Sequence, residues 1–248
     1  MYKVYAITDI GIERSQNQDG IYVDGIYCYD TKHRELYYET DSDYINVAIC
    51  DGVGSTRYAI EAVRFALEYM RSHRPSASES DIEKYVLELN GYVYDTLKQN
   101  NMMDGACTLA GILIDGTDAY IYNIGDSPIF GINNGYLEKH TIDDTGTALF
   151  GGDDLSKEGE QQVIKPPLLQ SIGTNRLLDK VHIKHLIKEN AFLLCSDGIS
   201  DMISLDEMEE ILDYSNSLKE LSRYYVQEAN TRGGYDNSSI ILLVKEEE

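Results

Sequence analysis

Residues 44–54 read Tyr44-Ile45-Asn46-Val47-Ala48-Ile49-Cys50-Asp51-Gly52-Val53-Gly54. A mostly apolar, β-prone run passes straight into an Asp-Gly step, which marks a core strand that ends on a carboxylate. A helical pattern follows from about Thr56 to Ser72, with Ile60, Val63, Leu67 and Met70 on one stripe. Two further apolar runs end in the same way, Tyr122-Asn123-Ile124-Gly125-Asp126 and Leu193-Leu194-Cys195-Ser196-Asp197-Gly198. Two others begin just after such a residue, in Asn17-Gln18-Asp19-Gly20 and Asp236-Asn237-Ser238-Ser239-Ile240. Asp-Gly by itself says little, because it is also a hairpin-turn dipeptide. What distinguishes this set is that Asp19, Asp51, Asp126, Asp197 and Asp236 all sit at core strand ends, so one edge of a sandwich can gather them.

Outward from that stretch, strands are expected at Tyr2–Ile10 and Gly20–Tyr29, and a second helix begins at the capping box Ser80-x-x-Glu83 with Ile82, Val86, Leu89, Val93 and Leu97 at helical spacing. Cys107–Ile114, Ala119–Ile124, Pro128–Ile132 and Tyr136–His140 read as an antiparallel meander divided by the turns Asp115-Gly116 and Asn133-Asn134-Gly135. Thr141 to Pro167 is rich in Gly, Asp and Lys without periodicity and reads as a mobile flap at about 141–167. A strand at Ala191–Cys195, helices announced by Ser204-x-x-Glu207 and Ser217-x-x-Glu220, and a strand at Ser239–Val244 complete the pattern. Helix pairs inserted between strands predict an α+β fold in which two antiparallel sheets pack together and helices cover them outside. With no linker and no repeat, residues 1–248 are expected to form a single domain.

The chain carries 43 Asp and Glu against 21 Lys and Arg, a formal charge of −22. Such an acidic surface repels phosphate backbones and anionic lipid heads, which excludes nucleic-acid or membrane binding through a basic face. A hydrophobic fraction of 42% with 26% charged residues excludes disordered and fibrous classes. No apolar run approaches the ~20 residues of a membrane span and the N-terminus lacks a signal-peptide stretch, so a cytoplasmic protein is expected. Cys28, Cys50, Cys107 and Cys195 are scattered, three of them in apolar runs, which suits neither disulfides nor a zinc knuckle. The 20 tyrosines are read as packing residues.

Carboxylates gathered in a cleft repel one another and must take up protons or share cations. All-oxygen ligation suits Mg2+ or Mn2+, whereas zinc would ask for histidine partners. The one close histidine pair, His182-x-x-His185, lies in a Lys-rich amphipathic stretch and is read as solvated or packed. Cys28-x5-Arg34 has the spacing of cysteine-based phosphatases, but its intervening residues contain Asp30 and no glycine to cradle phosphate. An EF-hand-like site fails because its ligands belong in one short loop.

The ordered set Arg14-x-x-Asn17-Gln18-Asp19, Asp51-Gly52-Val53-Gly54, Gly105-Ala106-Cys107-Thr108, Asn123-Ile124-Gly125-Asp126-Ser127, Leu194-Cys195-Ser196-Asp197-Gly198 and Asp236-Asn237 resembles the signature of the metal-dependent protein Ser/Thr phosphatases, type 2C, and most of all their compact bacterial members. The resemblance runs over about residues 3–244. It implies a four-layer αββα sandwich and two Mn2+ or Mg2+ ions. Asp51 would bridge both ions, the Gly52 carbonyl would bind one, and Asp197 and Asp236 would hold the other. Asp19 would act through water, Asp126 with Asp197 would hold a third, weaker ion, and Arg14 would bind the substrate phosphate, a role suited to a guanidinium fork. The implied reaction is attack of a metal-bridging water on phosphoserine or phosphothreonine.

The implied partner is a phosphorylated protein, the substrate of a cognate Ser/Thr kinase in bacterial signalling, and a monomer is expected. Several positions depart from the family pattern. Val53 stands where some members carry His, Ser55 replaces a second glycine, Pro128 replaces the Arg after Gly-Asp-Ser, and Gln18 replaces the Glu of eukaryotic members. Pro128 removes a cation near the third-ion residues and thereby weakens that expectation. The competing reading is a phosphatase-fold module that binds a partner with little or no catalysis.

Overall fold

The computed structural model describes residues 1–146 and 167–246. Most of the flap expected at about 141–167 therefore lies outside the described residues. Its flanks are joined, with Thr145 bridged to Leu168 and the Gly146 N–H donating to the Pro167 carbonyl at 3.2 Å.

Twelve strands, β1 (Tyr2–Asp9), β2 (Gly20–Val23), β3 (Ile26–Tyr29), β4 (His33–Thr40), β5 (Tyr44–Cys50), β6 (Leu109–Asp115), β7 (Asp118–Ile124), β8 (Ile129–Asn133), β9 (Tyr136–Lys139), β10 (His182–Ile187), β11 (Ala191–Cys195) and β12 (Ser238–Lys245), are described. They form two six-stranded sheets, β4-β1-β12-β11-β8-β9 and β10-β7-β6-β5-β2-β3, and among the described residues the strands pair antiparallel.

Alternation along β5 explains the layers. Val47 and Ile49 point into the space between the sheets, with Val4, Ile21, Ile112, Leu194 and Ile241. Ala48 and Cys50 face the other way, onto α1 (Ala59–Ser72) and α2 (Glu79–Gln99). On the opposite sheet Ile7, Leu193, Ile240 and Leu242 meet α3 (Asp197–Ser200), α4 (Leu205–Leu212) and α5 (Leu218–Thr231). Both faces of each sheet are covered, which is why the central strands read as continuous apolar runs although their sheets are antiparallel. This is the expected αββα sandwich.

Several local expectations are corrected. The apolar run Gly20–Tyr29 is a hairpin, β2 to β3, turned by Asp24 and Gly25 at φ 42° and 96°; the positive dihedrals identify a turn that an unbroken apolar pattern conceals. Strand β4 went unseen, since its sequence His-Arg-Glu-Leu-Tyr-Tyr-Glu-Thr is polar and it forms a half-exposed sheet edge. The second helix is capped by Ser78, whose side chain accepts the Asp81 N–H, and Ser80 lies inside its first turn. The first helix starts at Ala59, because Thr56 caps a turn by bonding the Val53 carbonyl at 2.8 Å. The four-strand meander is divided between the sheets: β6 pairs with β7 in one and β8 with β9 in the other. The stretch bearing His182 and His185 is the edge strand β10, with His182 on Asp144 and His185 on Asp118. Among the described residues no helix is long and apolar enough to cross a membrane, and the four cysteines are free.

The tightest packing demand on β6 is at Gly111. A methyl group there would lie 2.2 Å from the ring of the fully buried Tyr122, whose hydroxyl donates to Asn46 at 2.8 Å. Gly111→Ala is expected to lower the unfolding free energy by about 1–3 kcal/mol, measured as a shift of the urea midpoint at constant slope.

Candidate active site

Asp51 closes β5, and its backbone is clamped between strands. Its N–H donates to Thr108 Oγ1 at 3.1 Å and its carbonyl accepts the Thr108 N–H at 2.7 Å. Thr108 Oγ1 is in turn 2.8 Å from Ser127 Oγ, one residue past Asp126. The strand end carrying Asp51 is thereby tied to the β7–β8 turn. The Gly52 N–H donates to the Gln18 carbonyl at 3.1 Å, which brings the Asp19 loop against the same turn.

On the other sheet, Asp197 opens α3 directly after β11, and Asp236 precedes β12. These two turns touch. A methyl at Gly198 would stand 2.0 Å from the Asn237 carbonyl, so only glycine allows the Asp197 and Asp236 turns to approach this closely. Asn237 fastens the loop that carries Arg14. Its amide donates to the Ile10 carbonyl at 2.8 Å and the Gln16 carbonyl at 3.0 Å, and its Oδ1 accepts the Gln18 N–H at 2.8 Å.

The electrostatics follow from this convergence. Asp51 Oδ2 is buried without a hydrogen-bond partner. Burial, then the charges of Asp197, Asp19, Asp236 and Asp126, hold the Asp51 carboxyl well above the ordinary range. Asp19, 1% exposed, is pushed up to about 7, chiefly by burial, with Asp197 and Asp236 adding to the shift and hydrogen bonds from Ser239 and Ser196 opposing it. The other four aspartates of the sequence reading are thus all within electrostatic reach of Asp51. Arg14 lies at the exposed rim, where its Nη2 contacts Asp236 Oδ2 at 2.6 Å and its Nε donates to the Tyr235 carbonyl at 3.2 Å. Among the described residues no three acidic, histidine or cysteine side chains close into a ready metal-ligand cage. An uncompensated buried carboxylate oxygen amid four further carboxylates is nonetheless a donor set of the hard-oxygen kind that divalent cations take.

Sequence reasoning missed the supporting residues Thr108, Ser127, Ser196, Asn237 and Ser239. They lie inside the quoted motifs, but only a contact gives a buried hydroxyl its role. The cysteine alternative is closed. Cys28 lies on β3 and burial pushes its thiol up to about 11, so the thiolate that a nucleophile needs is scarce at neutral pH.

A pH dependence follows. An acid whose pKa is raised in the folded state costs stability as pH rises from its unfolded value, near 3.8 for Asp19, through its folded value of about 7. In chelator, the thermal midpoint is expected to fall between pH 4 and pH 7 on this account, and Asp51→Asn is expected to raise the midpoint at pH 7. Differential scanning calorimetry across that range checks both.

Comparison with known proteins places this arrangement. The family model described as protein phosphatase 2C matches residues 18–232. The serine/threonine phosphatase stp of Listeria monocytogenes is 26% identical over 215 residues, covering 81% of this chain and 84% of its own. A putative protein phosphatase 2C-type protein of Streptococcus pyogenes is 26% identical over 258 residues, covering 99% and 98%. Among solved structures, the serine/threonine phosphatase of S. agalactiae superposes with a TM-score of 0.80 at 22% identity, over 99% of this chain and 100% of that one. The catalytic domain of the phosphatase PstP, in complex with two manganese ions, does so at 0.74 and 21% identity, over 98% and 99%. With a family model matching residues 18–232, most of the sequence, the chain belongs to the protein phosphatase 2C family.

Proposed function

We propose that this protein is a Mn2+- or Mg2+-dependent serine/threonine phosphatase that acts on a phosphorylated protein and opposes a cognate kinase. The observation that carries the metal dependence is the buried, unpartnered Oδ2 of Asp51 among the charges of Asp19, Asp126, Asp197 and Asp236. In this reading Asp51, the Gly52 carbonyl, Asp197 and Asp236 hold two ions, Asp19 acts through water, and Asp126 with Asp197 holds a third, weaker one. The ions would supply an activated water for in-line attack and offset charge on the phosphoryl oxygens.

The chain's own residues supply the rest. Arg14 presents a planar fork at the rim, suited to two phosphate oxygens at once. Its present partner, Asp236, is one of the proposed ligands, so loading the site frees the guanidinium for substrate. Val53 follows Gly52 and carries no proton, so the leaving seryl or threonyl oxygen is not protonated from that position. The PstP structure with two manganese ions supports the reading by likeness of fold.

The test is hydrolysis of a phosphothreonine peptide by chelator-treated protein titrated with Mn2+ and then Mg2+. Turnover is expected to return with metal, to vanish in Asp197→Ala and to persist in Cys28→Ser. Arg14→Ala is expected to lower kcat/KM about 10- to 100-fold, the loss of one strong charge-assisted contact. Tight binding of two ions with no turnover would instead favour the non-catalytic module.

A further inference from the structure

A closed ring of hydrogen bonds lies beneath the proposed metal site. Its members Thr8, Asn17, Asp19, Ser196 and Ser239 are each 2% exposed or less. They come from the paired strands β1 and β12, the turn between β11 and α3 beside them in the same sheet, and the loop that leads into β2 of the other sheet.

The donors in this ring can be assigned. Asn17 Nδ2 lies 2.9 Å from the Thr31 carbonyl, which can only accept, and this fixes the amide orientation. The same amide therefore donates to Thr8 Oγ1, also at 2.9 Å. Ser239 Oγ stands 2.8 Å from Thr8 Oγ1 and 2.7 Å from Asp19 Oδ2. The Ser239 hydroxyl faces two acceptors, Thr8 Oγ1 and Asp19 Oδ2, of which a carboxylate oxygen is the stronger. The Asp19 N–H returns to Asn17 Oδ1 at 3.1 Å and closes the circuit. From the other side Ser196 Oγ accepts the Ser239 N–H at 2.9 Å and donates to the same Asp19 Oδ2 at 2.8 Å.

Both hydroxyls thus converge on one oxygen of one carboxylate. We propose that this ring is the positioning device of the site: Ser196 and Ser239 pin Oδ2 of Asp19 so that its other oxygen is presented, in a fixed orientation, toward the hydration shell of the divalent ions. Thr8, itself held by the Asn17 amide, supports the Ser239 hydroxyl from its other side. The inference rests on the two-ion reading. It goes beyond that reading by assigning work to four uncharged residues, none of which would touch an ion or the phosphate.

A ring that ties the loop before β2 to one sheet also has the form of a structural weld, and the two roles separate by measurement. Mn2+ is titrated calorimetrically into the metal-stripped full-length chain at a temperature where circular dichroism shows each variant folded. Thermal midpoints are recorded with and without Mn2+. Ser196→Ala and Ser239→Ala are each expected to weaken Mn2+ binding about 10- to 100-fold, the effect typical of losing an orienting partner behind a metal shell. The double variant is expected to bind more weakly still, whereas Ser239→Thr, which keeps the donor, is expected to bind close to wild type. Thr8→Val keeps its shape and acts one bond further away; it is expected to weaken binding by a few-fold and stays readable if the serine variants unfold. Lower midpoints with unchanged Mn2+ affinity, or equal affinities for Ser239→Thr and Ser239→Ala, would overturn the positioning role and leave the two-ion reading intact. Failure of the wild-type chain to bind Mn2+ would overturn both.

Discussion

Mutual repulsion among carboxylates at one edge of the sandwich is the constraint on which the rest of the structure depends. Asp19 is buried and so is Oδ2 of the half-buried Asp51, and loss of water alone disfavours their charged forms before neighbouring aspartates add like charge. A fold that holds such a set without cations is working against its own electrostatics. The surrounding architecture reads as the apparatus that keeps these groups in place regardless: Thr108 on the backbone of Asp51, Ser196 and Ser239 on Asp19, and Asn237 across the loop that carries Arg14.

Two sheets serve this purpose better than one. Asp51 and Asp126 end strands of one sheet, whereas Asp197 and Asp236 flank strands of the other, and Asp19 lies on the crossover between them. The site is therefore assembled by sheet-on-sheet packing of Val47, Ile49, Ile112, Leu194 and Ile241, a rigid and close-packed interface. Carboxylates fixed by a core cannot drift apart to relieve repulsion. Arg14 alone stands on an exposed loop, with its charge free to exchange one anionic partner for another.

Much of this arrangement was legible in the order of residues. A strand that must be buried on both faces has to be apolar throughout, and an aspartate ending such a run has to lie at the rim of the core; Asp51, Asp126 and Asp197 were recognisable on that ground alone. Helix starts at Ser204 and Ser217 were legible because capping is local chemistry. The errors have equally local causes. The β2–β3 turn is hidden by apolar neighbours, β4 by its exposure, and the Ser78 cap by a second serine two residues later.

The sequence by itself determined the layer pattern, the sign of the surface charge and the identity of the acidic residues, because periodicity, composition and motif order are properties of one chain read in a line. Only the tertiary structure decided which sheet each strand joins, that Arg14 meets Asp236, and that Thr8, Asn17, Ser196 and Ser239 close a ring around Asp19. A hydroxyl or an amide carries no mark of its partner in its own sequence neighbourhood. Its role is set by which acceptor lies within hydrogen-bond reach, and for residues as far apart in the chain as Thr8 and Ser239 that distance exists only once β1 and β12 have paired.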